Sequence, residues 1–175
     1  ASIYRILLGF LVSLAISLPI GILLGVSKTF ESFAKPMIAF VRYIPPSAFI
    51  PLAIIWFGIG DLQKIAILVI GIAPYLALLI ADEVINTRQE FIDAARALGS
   101  NGIHLTLKVY LPSALPGIWD ACRLMAGAGW TFVIIAEIVG ASSGLGHLMI
   151  ESQRFLRTAN IFAAIIVIGC LGLIT

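Results

Sequence analysis

Residues able to do covalent or metal chemistry are few in this chain and lie far apart. Cys122 and Cys170 sit in apolar runs without a C-x-x-C spacing, and the two histidines, His104 and His147, are distant from both. This spacing predicts no metal site. No paired carboxylates, His–Glu zinc motif or Ser/His couple falls inside an apolar run, which disfavours an intramembrane enzyme. The sequence G-x-x-x-x-G-K-[ST] is absent, so any nucleotide is expected to bind another chain, and we predict no cofactor in this one.

The composition is that of a chain embedded in lipid. Of the 175 residues, 61% are hydrophobic and only 11% are charged, and the mean hydropathy is +1.10. A soluble domain carries about 25% charged residues, so these charges are too few to cover a surface that faces water. The net charge of +2 is too small to suggest nucleic-acid binding. The composition therefore predicts an all-α, polytopic membrane helix bundle with no nucleic-acid partner.

Apolar runs long enough to cross a membrane, at about 20 residues each, recur about five times along the chain. The consecutive prolines Pro45 and Pro46 are expected to start a helix, and Pro74 is expected to interrupt one. The polar stretch from Ser27 to Arg42 is predicted to lie at the membrane surface. The predicted spans are Ile3 to Val26, Pro45 to Gly60, Ile65 to Ala81, Ile118 to Val139, and Ile161 onward.

The whole chain, residues 1–175, is predicted to form a single transmembrane domain. Because it opens at Ala1 without a methionine and stops at Thr175 inside an apolar run, we expect it to be an excerpt of a longer protein. Loops rich in lysine and arginine favour the cytoplasm. The segments 27–42 and 82–117 hold more of these residues than the opposite side does. This bias places the 82–117 segment in the cytoplasm and residue 1 outside.

The 82–117 segment is the longest polar region of the chain, and it is predicted to hold two short helices joined at a glycine. Thr87 followed by Glu90 fits a capping box at the start of a helix. Gly99 supplies the left-handed residue that commonly ends one. The predicted helices are Arg88 to Leu98 and Ile103 to Tyr110, the second stopping before Pro112.

One face of the first of these helices is apolar and partly small. Helical spacing puts Phe91, Ala94, Ala95 and Leu98 on the same side. The two alanines would let a partner backbone approach closely, and Gly99 would permit a sharp turn. The segment therefore suits a stiff lever at the membrane boundary that responds to a cytoplasmic partner. The alternative that the residues leave open is an amphipathic helix lying on lipid headgroups.

A longer pattern in this segment resembles the EAA signature of ABC-type importer permeases. It consists of Asp93-Ala94-Ala95, three residues, Gly99, nine residues, Val109, one residue, and Leu111-Pro112. Asp93 stands where that family usually has Glu, which keeps the charge on a shorter side chain. The coupling residues that the resemblance implies, together with the apolar face, are Phe91, Asp93, Ala94, Ala95, Leu98, Gly99, Val109, Leu111 and Pro112.

Two further stretches, RYIPPSAFIPLAIIWFGIG and AEIVGASSGLGHLM, are similar to the nitrate/sulfonate/taurine/bicarbonate permease subfamily. The resemblance implies a type I importer permease with a MetI-like core in a prokaryotic inner membrane. Its partners would be a second permease subunit, most simply an identical copy, and two cytoplasmic ATPase subunits that bind ATP and Mg. An extracytoplasmic solute-binding protein would complete the assembly. In this family the EAA helix sits in a cleft of each ATPase.

Polar groups inside the predicted spans are candidates for a solute path, since a charge at that depth costs about 2.5–3.5 kcal/mol on insertion scales. Arg123 would alternatively extend to the headgroups, and Glu137 would alternatively brace the glycine-rich loop that follows it. The other candidates would alternatively be packing residues. The predicted path residues are Ser47, Tyr75, Arg123, Trp130, Thr131 and Glu137.

The loop from Ala141 to Gly146 is predicted to lie outside, as an outer gate, a docking surface for the solute-binding protein, or a simple packed loop. Arg154 and Arg157 would attract an anionic solute or an acidic patch on that protein. The expected function is ATP-driven import of a small oxyanion: nitrate, a sulfonate such as taurine, or bicarbonate. Two alternatives are an importer of an organic nitrogen or thiamine-precursor solute, and a channel or secondary transporter that needs no ATP.

Overall fold

The computed structural model describes residues 2–139 and 143–174, which fold into helices joined by short turns. Within these residues there is no strand, so the predicted all-α class is confirmed. In chain order the helices are α1 (Ser2–Val26), α2 (Lys28–Tyr43), a 3₁₀ turn (Pro46–Phe49), α3 (Ile50–Phe57), α4 (Asp61–Ile85), α5 (Gln89–Ala97), α6 (Gly102–Leu105), a π-helical turn (Thr106–Tyr110), α7 (Leu111–Ile138), α8 (Leu145–Arg154) and α9 (Thr158–Ile174).

Three helices of the described chain are long and apolar enough to cross a membrane. The first, α1, confirms the predicted span from Ile3 to Val26 almost residue for residue. The second, α4, extends beyond the predicted span from Ile65 to Ala81 at both ends. Pro74 lies inside α4 without interrupting it, contrary to expectation. Proline is tolerated in packed membrane helices because neighbouring groups take up the backbone carbonyl that it leaves free.

The third long helix corrects the predicted stop before Pro112 and the predicted span start at Ile118. An unbroken helical run of 37 residues extends from Gly102 to Ile138, with both Pro112 and Pro116 inside it. The π-helical turn explains this, since the Leu111 N–H donates to the carbonyl of Thr106, five residues back. A wide turn of this kind shifts the hydrogen-bond register just before the proline, which has no N–H to donate.

The region around the prolines Pro45 and Pro46 differs most from the prediction. Pro45 is extended and Pro46 starts a helix, as expected. However, residues 46–57 make only a short helical segment, and it is bent by 85° from α2, which contains the stretch predicted to lie at the surface. The span predicted from Pro45 to Gly60 is therefore not a crossing helix by itself. About five spans are reached only if this bent pair and the 17-residue α9 both cross.

The polar stretch after α7 also holds an element that the sequence did not predict, the helix α8. Ala141 and Ser142 of the predicted outer loop lie outside the described residues. The helix α8 packs against α9.

The chain divides into two compact units that share its long helices. Unit 1 contains residues 1–13, 44–72 and 123–175, and unit 2 contains residues 14–43 and 73–122. In unit 1, a Cβ placed on Gly9 would lie 2.8 Å from the Leu68 side chain, and in unit 2 one on Gly21 would lie 2.6 Å from that of Ile80. Such close approach is typical of small residues spaced by four in membrane helices. The small residues of α1 at this spacing are Gly9, Ser13, Ser17, Gly21 and Gly25.

Candidate functional site

The first candidate site is the elbow, which we define as residues 89–105 in unit 2. Its first helix, α5, ends as the sequence predicts, with Gly99 in the left-handed region at φ +83°. The Gly99 N–H donates to the Arg96 carbonyl, and the Ser100 N–H donates to the Ala95 carbonyl, both at 2.9 Å. This pair of bonds is the Schellman pattern, which satisfies carbonyls at the end of the helix. The helix end is therefore a built turn and not a frayed one.

The start of α5 does not have the capping box predicted from Thr87 and Glu90. Arg88 precedes the first helical residue and makes no capping bond with its side chain. The Glu90 carboxylate is paired with the Arg88 guanidinium, so it does not reach back to the main chain. The Thr87 hydroxyl is buried and has no hydrogen-bond partner within the described residues. Charge pairing thus replaces capping at this end.

The inner side of α5 packs on the segment that follows it. Ile92 is 4% exposed and Leu105 is 6% exposed, so both are core residues of the elbow. Contacts join α5 both to α6 and to the π-helical turn. Gly102, which opens α6, also has a positive φ, of +50°. Two glycines in the left-handed region therefore set the angle between the helices, and the two buried side chains hold it.

The outer side of α5 carries the apolar stripe that the sequence predicts. Leu98 is 89% exposed and Phe91 is 48% exposed, with Ala94 exposed and Ala95 half-buried between them. The Arg88 guanidinium stacks over the Phe91 ring at 5.1 Å. The described residues of this chain therefore leave an apolar stripe open along α5, and such patches commonly mark interaction sites.

The remaining residues of the EAA pattern have separate positions. Asp93 is exposed and accepts a hydrogen bond of 2.9 Å from the Gln89 side chain one turn earlier. Val109 and Leu111 are half-buried in the helical run beyond the elbow, and Pro112 is exposed there. Only the Phe91 to Gly99 part of the predicted set therefore forms the exposed stripe and its turn.

The predicted path residues are not gathered into one described cavity. Ser47, Arg123 and Thr131 are exposed, whereas Trp130 is 4% exposed in unit 1. Tyr75 belongs to unit 2, where its hydroxyl donates to the Arg42 carbonyl at 3.3 Å. Their role in a solute path stays a prediction.

Glu137 takes part in a second candidate site, a buried polar cluster in unit 1 that we call the Glu137 clamp. Its members are Ser2, Arg5, Asp61, Glu137 and the turn 143–146. The Glu137 side chain has no exposed area. It accepts bonds from the Ser2 hydroxyl at 2.7 and 2.9 Å, from Arg5 Nη1 at 2.6 Å, and from the Gly146 N–H at 3.0 Å. The contacts support the alternative in which Glu137 braces the loop after it.

Arg5 joins Glu137 to other parts of the clamp. Its guanidinium also donates to Asp61 Oδ1 at 2.8 Å from Nε and to the Ser143 carbonyl at 2.8 Å from Nη1. The Arg5 side chain is 5% exposed, whereas that of Asp61 is 53% exposed. The cluster is therefore closed around Glu137 and opens to the surface at Asp61. Hydrogen bonds to charged groups are the stronger kind, and here they converge on one carboxylate.

Glycines let the 143–146 turn close over this carboxylate. Gly144 has φ +122°, and a Cβ there would lie 2.4 Å from the Glu137 carboxylate. A Cβ on Gly146 would lie 2.7 Å from that of Glu137. Between them, the Leu145 N–H donates to the Ser2 hydroxyl at 3.0 Å. Only glycine fits these two positions without displacing the turn or the carboxylate.

Ser2 and Arg5 were not predicted from the sequence to be site residues. One signal pointed to them, because a charge inside an apolar run requires a partner. Arg5 and Glu137 are such charges, near the start of one predicted span and the end of another. The sequence alone does not show that these two side chains lie close together.

A polytopic helix bundle that presents the first part of the EAA pattern on an exposed elbow defines the class of membrane permease. Comparison with known proteins gives the family. Residues 17–175 match the family described as binding-protein-dependent transport system inner membrane component, and the chain belongs to that family. It is a multi-pass membrane protein of the importer permease kind.

Relatives support the expected subfamily. The chain is 37% identical over 175 residues to a probable ABC transporter permease of Brucella melitensis biotype 1, covering 99% of this chain and 70% of the relative. It is 35% identical over 172 residues to the taurine transport system permease protein TauC of Escherichia coli K12, covering 98% and 62%. It is 33% identical over 177 residues to the bicarbonate transport system permease protein CmpB of Synechococcus elongatus, covering 99% and 63%.

The fold has a close counterpart among solved structures. A chain of the MetNI methionine ABC transporter, solved in inward-facing conformations, superimposes with a TM-score of 0.89 at 22% identity. The match covers 99% of this chain and 87% of that one. The predicted MetI-like core is thereby confirmed.

Proposed function

We propose that this chain is the membrane subunit of an ATP-driven importer and that the elbow couples it to a separate ATPase chain. A second permease copy, two cytoplasmic ATPase subunits carrying ATP and Mg, and an extracytoplasmic solute-binding protein complete the assembly. The chain itself performs no hydrolysis. The cargo is a small oxyanion of the sulfonate, nitrate or bicarbonate kind, a class supported by the names of the taurine and bicarbonate relatives.

The exposed stripe of the elbow carries this proposal. If a partner buried both side chains fully, Leu98 would contribute roughly 1.5–3 kcal/mol, and Phe91, which is already half buried, about half as much. Pre-ordering lowers the entropy cost of docking. Coupling further requires that the ATPase contacts the stripe differently in its open and closed states, because equal contacts shift no equilibrium.

A matched pair of substitutions tests the coupling. Ala94→Asp puts a charge in the stripe, whereas Ala97→Asp puts the same charge on the same helix, roughly 110° around from the stripe centre at 100° per residue. Both alanines are exposed. In a membrane containing the full transport system, we expect Ala94→Asp to lower solute-stimulated ATP hydrolysis and uptake at least tenfold and Ala97→Asp to leave both within about twofold. Unchanged uptake in Ala94→Asp would favour a channel or secondary transporter.

The solute class is tested separately, by uptake of labelled taurine, nitrate, bicarbonate and a thiamine-precursor amine in the same system. We expect uptake of at least one oxyanion and none of the amine. Uptake of the amine alone would remove the oxyanion proposal and keep the permease proposal.

A further inference from the structure

The Glu137 clamp carries a desolvation cost that holding a loop does not require. Two nearly unexposed charged side chains, Arg5 and Glu137, are taken out of water to make it. Removing ions from water offsets most of their mutual attraction, so apolar side chains of similar volume would hold these segments at least as firmly. What an ion pair provides beyond apolar packing is a specific geometry that is either fully made or broken. This property suits a part that changes state.

The clamp is built so that its contacts are lost together. Its bonds bridge the start of α1, the start of α4, the end of α7 and the turn 143–146. Arg5 contacts three of these partners and Ser2 contacts two, so neither side chain can leave without breaking several bonds at once. Packed networks of this kind have discrete arrangements and do not deform gradually.

The first turn of α4 indicates where a second arrangement would find its bonds. Lys64 is 2% exposed, yet it forms no ion pair within the described residues and donates only to the Gly60 carbonyl at 2.9 Å. Gln63 is fully buried, and both polar atoms of its side chain lack a partner there. Buried polar groups normally have hydrogen-bond partners, so the two amide atoms of Gln63 that are unpaired among the described residues, next to a buried lysine without an ion pair there, require an explanation. Asp61 lies on the same face as Lys64, three residues earlier.

We propose that the Glu137 clamp is a latch that opens during the transport cycle. When it opens, the ion pair between Arg5 and Asp61 breaks and Lys64 pairs with Asp61 instead. In the closed arrangement described here, the latch fixes the turn 143–146 against the first residues of α1. In the open arrangement this turn, and α8 behind it, are free to move. Arg5 and Glu137 are thus positioning residues of the importer. The inference rests on the proposed function, because a latch requires a cycle.

A reversible cross-link tests the latch. Cys122 and Cys170 are first replaced by alanine, and then Ser2→Cys and Leu145→Cys are introduced. At these positions the Ser2 hydroxyl lies 3.0 Å from the main-chain nitrogen of Leu145. With the full transport system in proteoliposomes, we expect oxidation to lower uptake and solute-stimulated ATP hydrolysis at least tenfold, and dithiothreitol to restore both.

A second cysteine pair controls for cross-linking itself. Ser17→Cys with Ala73→Cys joins α1 to α4 inside unit 2, where the Ser17 hydroxyl donates to the Ala73 carbonyl at 2.9 Å. These helices stay together in the proposed cycle, so uptake of the oxidised control should remain within about twofold of the reduced form. Complete cross-linking of 2 and 145 with undiminished uptake would overturn the latch, as would failure of that pair to cross-link.

A milder variant keeps the proposal testable if the cysteine pair does not fold. Lys64→Met retains most of the side-chain volume and removes the charge that stabilises the open arrangement. We expect a lower uptake rate at unchanged solute affinity and unchanged melting temperature, with no such change for Lys35→Met in unit 2. A wild-type rate in Lys64→Met would count against partner exchange. Absence of ATP-dependent uptake in the wild type would instead contradict the proposed function.

Discussion

The elbow and the Glu137 clamp use polar side chains in opposite ways. The side-chain hydrogen bonds in and next to the elbow join residues two or four apart on exposed surface, as between Gln89 and Asp93. Those of the clamp join residues up to 143 apart, and all of them are buried or partly buried. The elbow leaves apolar side chains uncovered, whereas the clamp covers the charges of Arg5 and Glu137 and leaves Asp61 half exposed. The elbow thus leaves an apolar surface open, which the proposed function assigns to another chain, and the clamp joins separated segments of this one.

This contrast predicts different costs for substitutions in the two places. Changes in the clamp should reduce the free energy of unfolding, because they leave buried groups without partners. Changes in the elbow stripe should affect coupling and leave stability unchanged.

Arg5→Ala should have the largest effect. It leaves the Glu137 carboxylate buried without its cation, which typically costs about 3–5 kcal/mol. Thermal unfolding in detergent measures the loss, with Arg88→Ala as the control. Arg88 also pairs with a carboxylate, but both side chains are more than half exposed, and such pairs contribute about 0–1 kcal/mol. Equal losses for the two variants would show that the clamp is not the tighter of the two regions.

Gly144→Ala should cost about 2–4 kcal/mol, since the new Cβ meets both a left-handed backbone and a crowded position. Its nearest neighbours are atoms of the Glu137 carboxylate, 2.4 Å away. Unfolding in detergent and the yield of folded protein both report this loss. A change below about 1 kcal/mol would mean that the turn does not close over Glu137 as described.

Gly99→Ala should cost only about 1–2 kcal/mol, the price of a left-handed side chain. Gly99 has φ +83°, but no atom lies within 4 Å of a Cβ placed there. The larger loss expected for Gly144→Ala combines the crowded position with a different backbone conformation, at φ +122° and ψ 174°. A loss as large as that of Gly144→Ala would contradict the open surroundings of the elbow turn.

Leu98→Ser should leave the free energy of unfolding within about 0.5 kcal/mol of the wild-type value, as exposed positions usually do. Leu98 is 89% exposed, so the chain alone loses little packing. Solute-stimulated ATP hydrolysis by the full transport system should nevertheless fall severalfold. If stability fell and coupling did not, the stripe would be part of this chain's own core.

The same contrast explains which features the sequence could reveal. Gly99 and the stripe from Phe91 to Leu98 were predictable because their signals lie within nine residues and follow helical spacing. The Glu137 clamp was not, since no period or motif links residue 2 to residue 137. Only folding shows which of the separated charges meet.

The predicted helix boundaries were wrong where two local rules conflicted. Pro112 and Pro116 indicated a break, but the π-helical turn at 106–110 carries the helix through. The break at Pro45 and Pro46 was correctly expected, yet the 85° bend beside it turned a predicted span into a bent pair. Proline shows that the hydrogen-bond ladder changes at a position, and packing decides whether the helix ends, bends or continues.

The sequence separation within the clamp bears on how the protein is made. Arg5 precedes Asp61 by 56 residues and Glu137 by 132. At about 5–20 residues per second, a ribosome needs roughly 7–26 s to extend from the arginine to the glutamate. During this interval the newly inserted α1 carries a cation without its main counter-ion, near enough to the helix end to reach the lipid phosphates. Biogenesis of this subunit therefore includes a waiting period that ends when α7 enters the membrane.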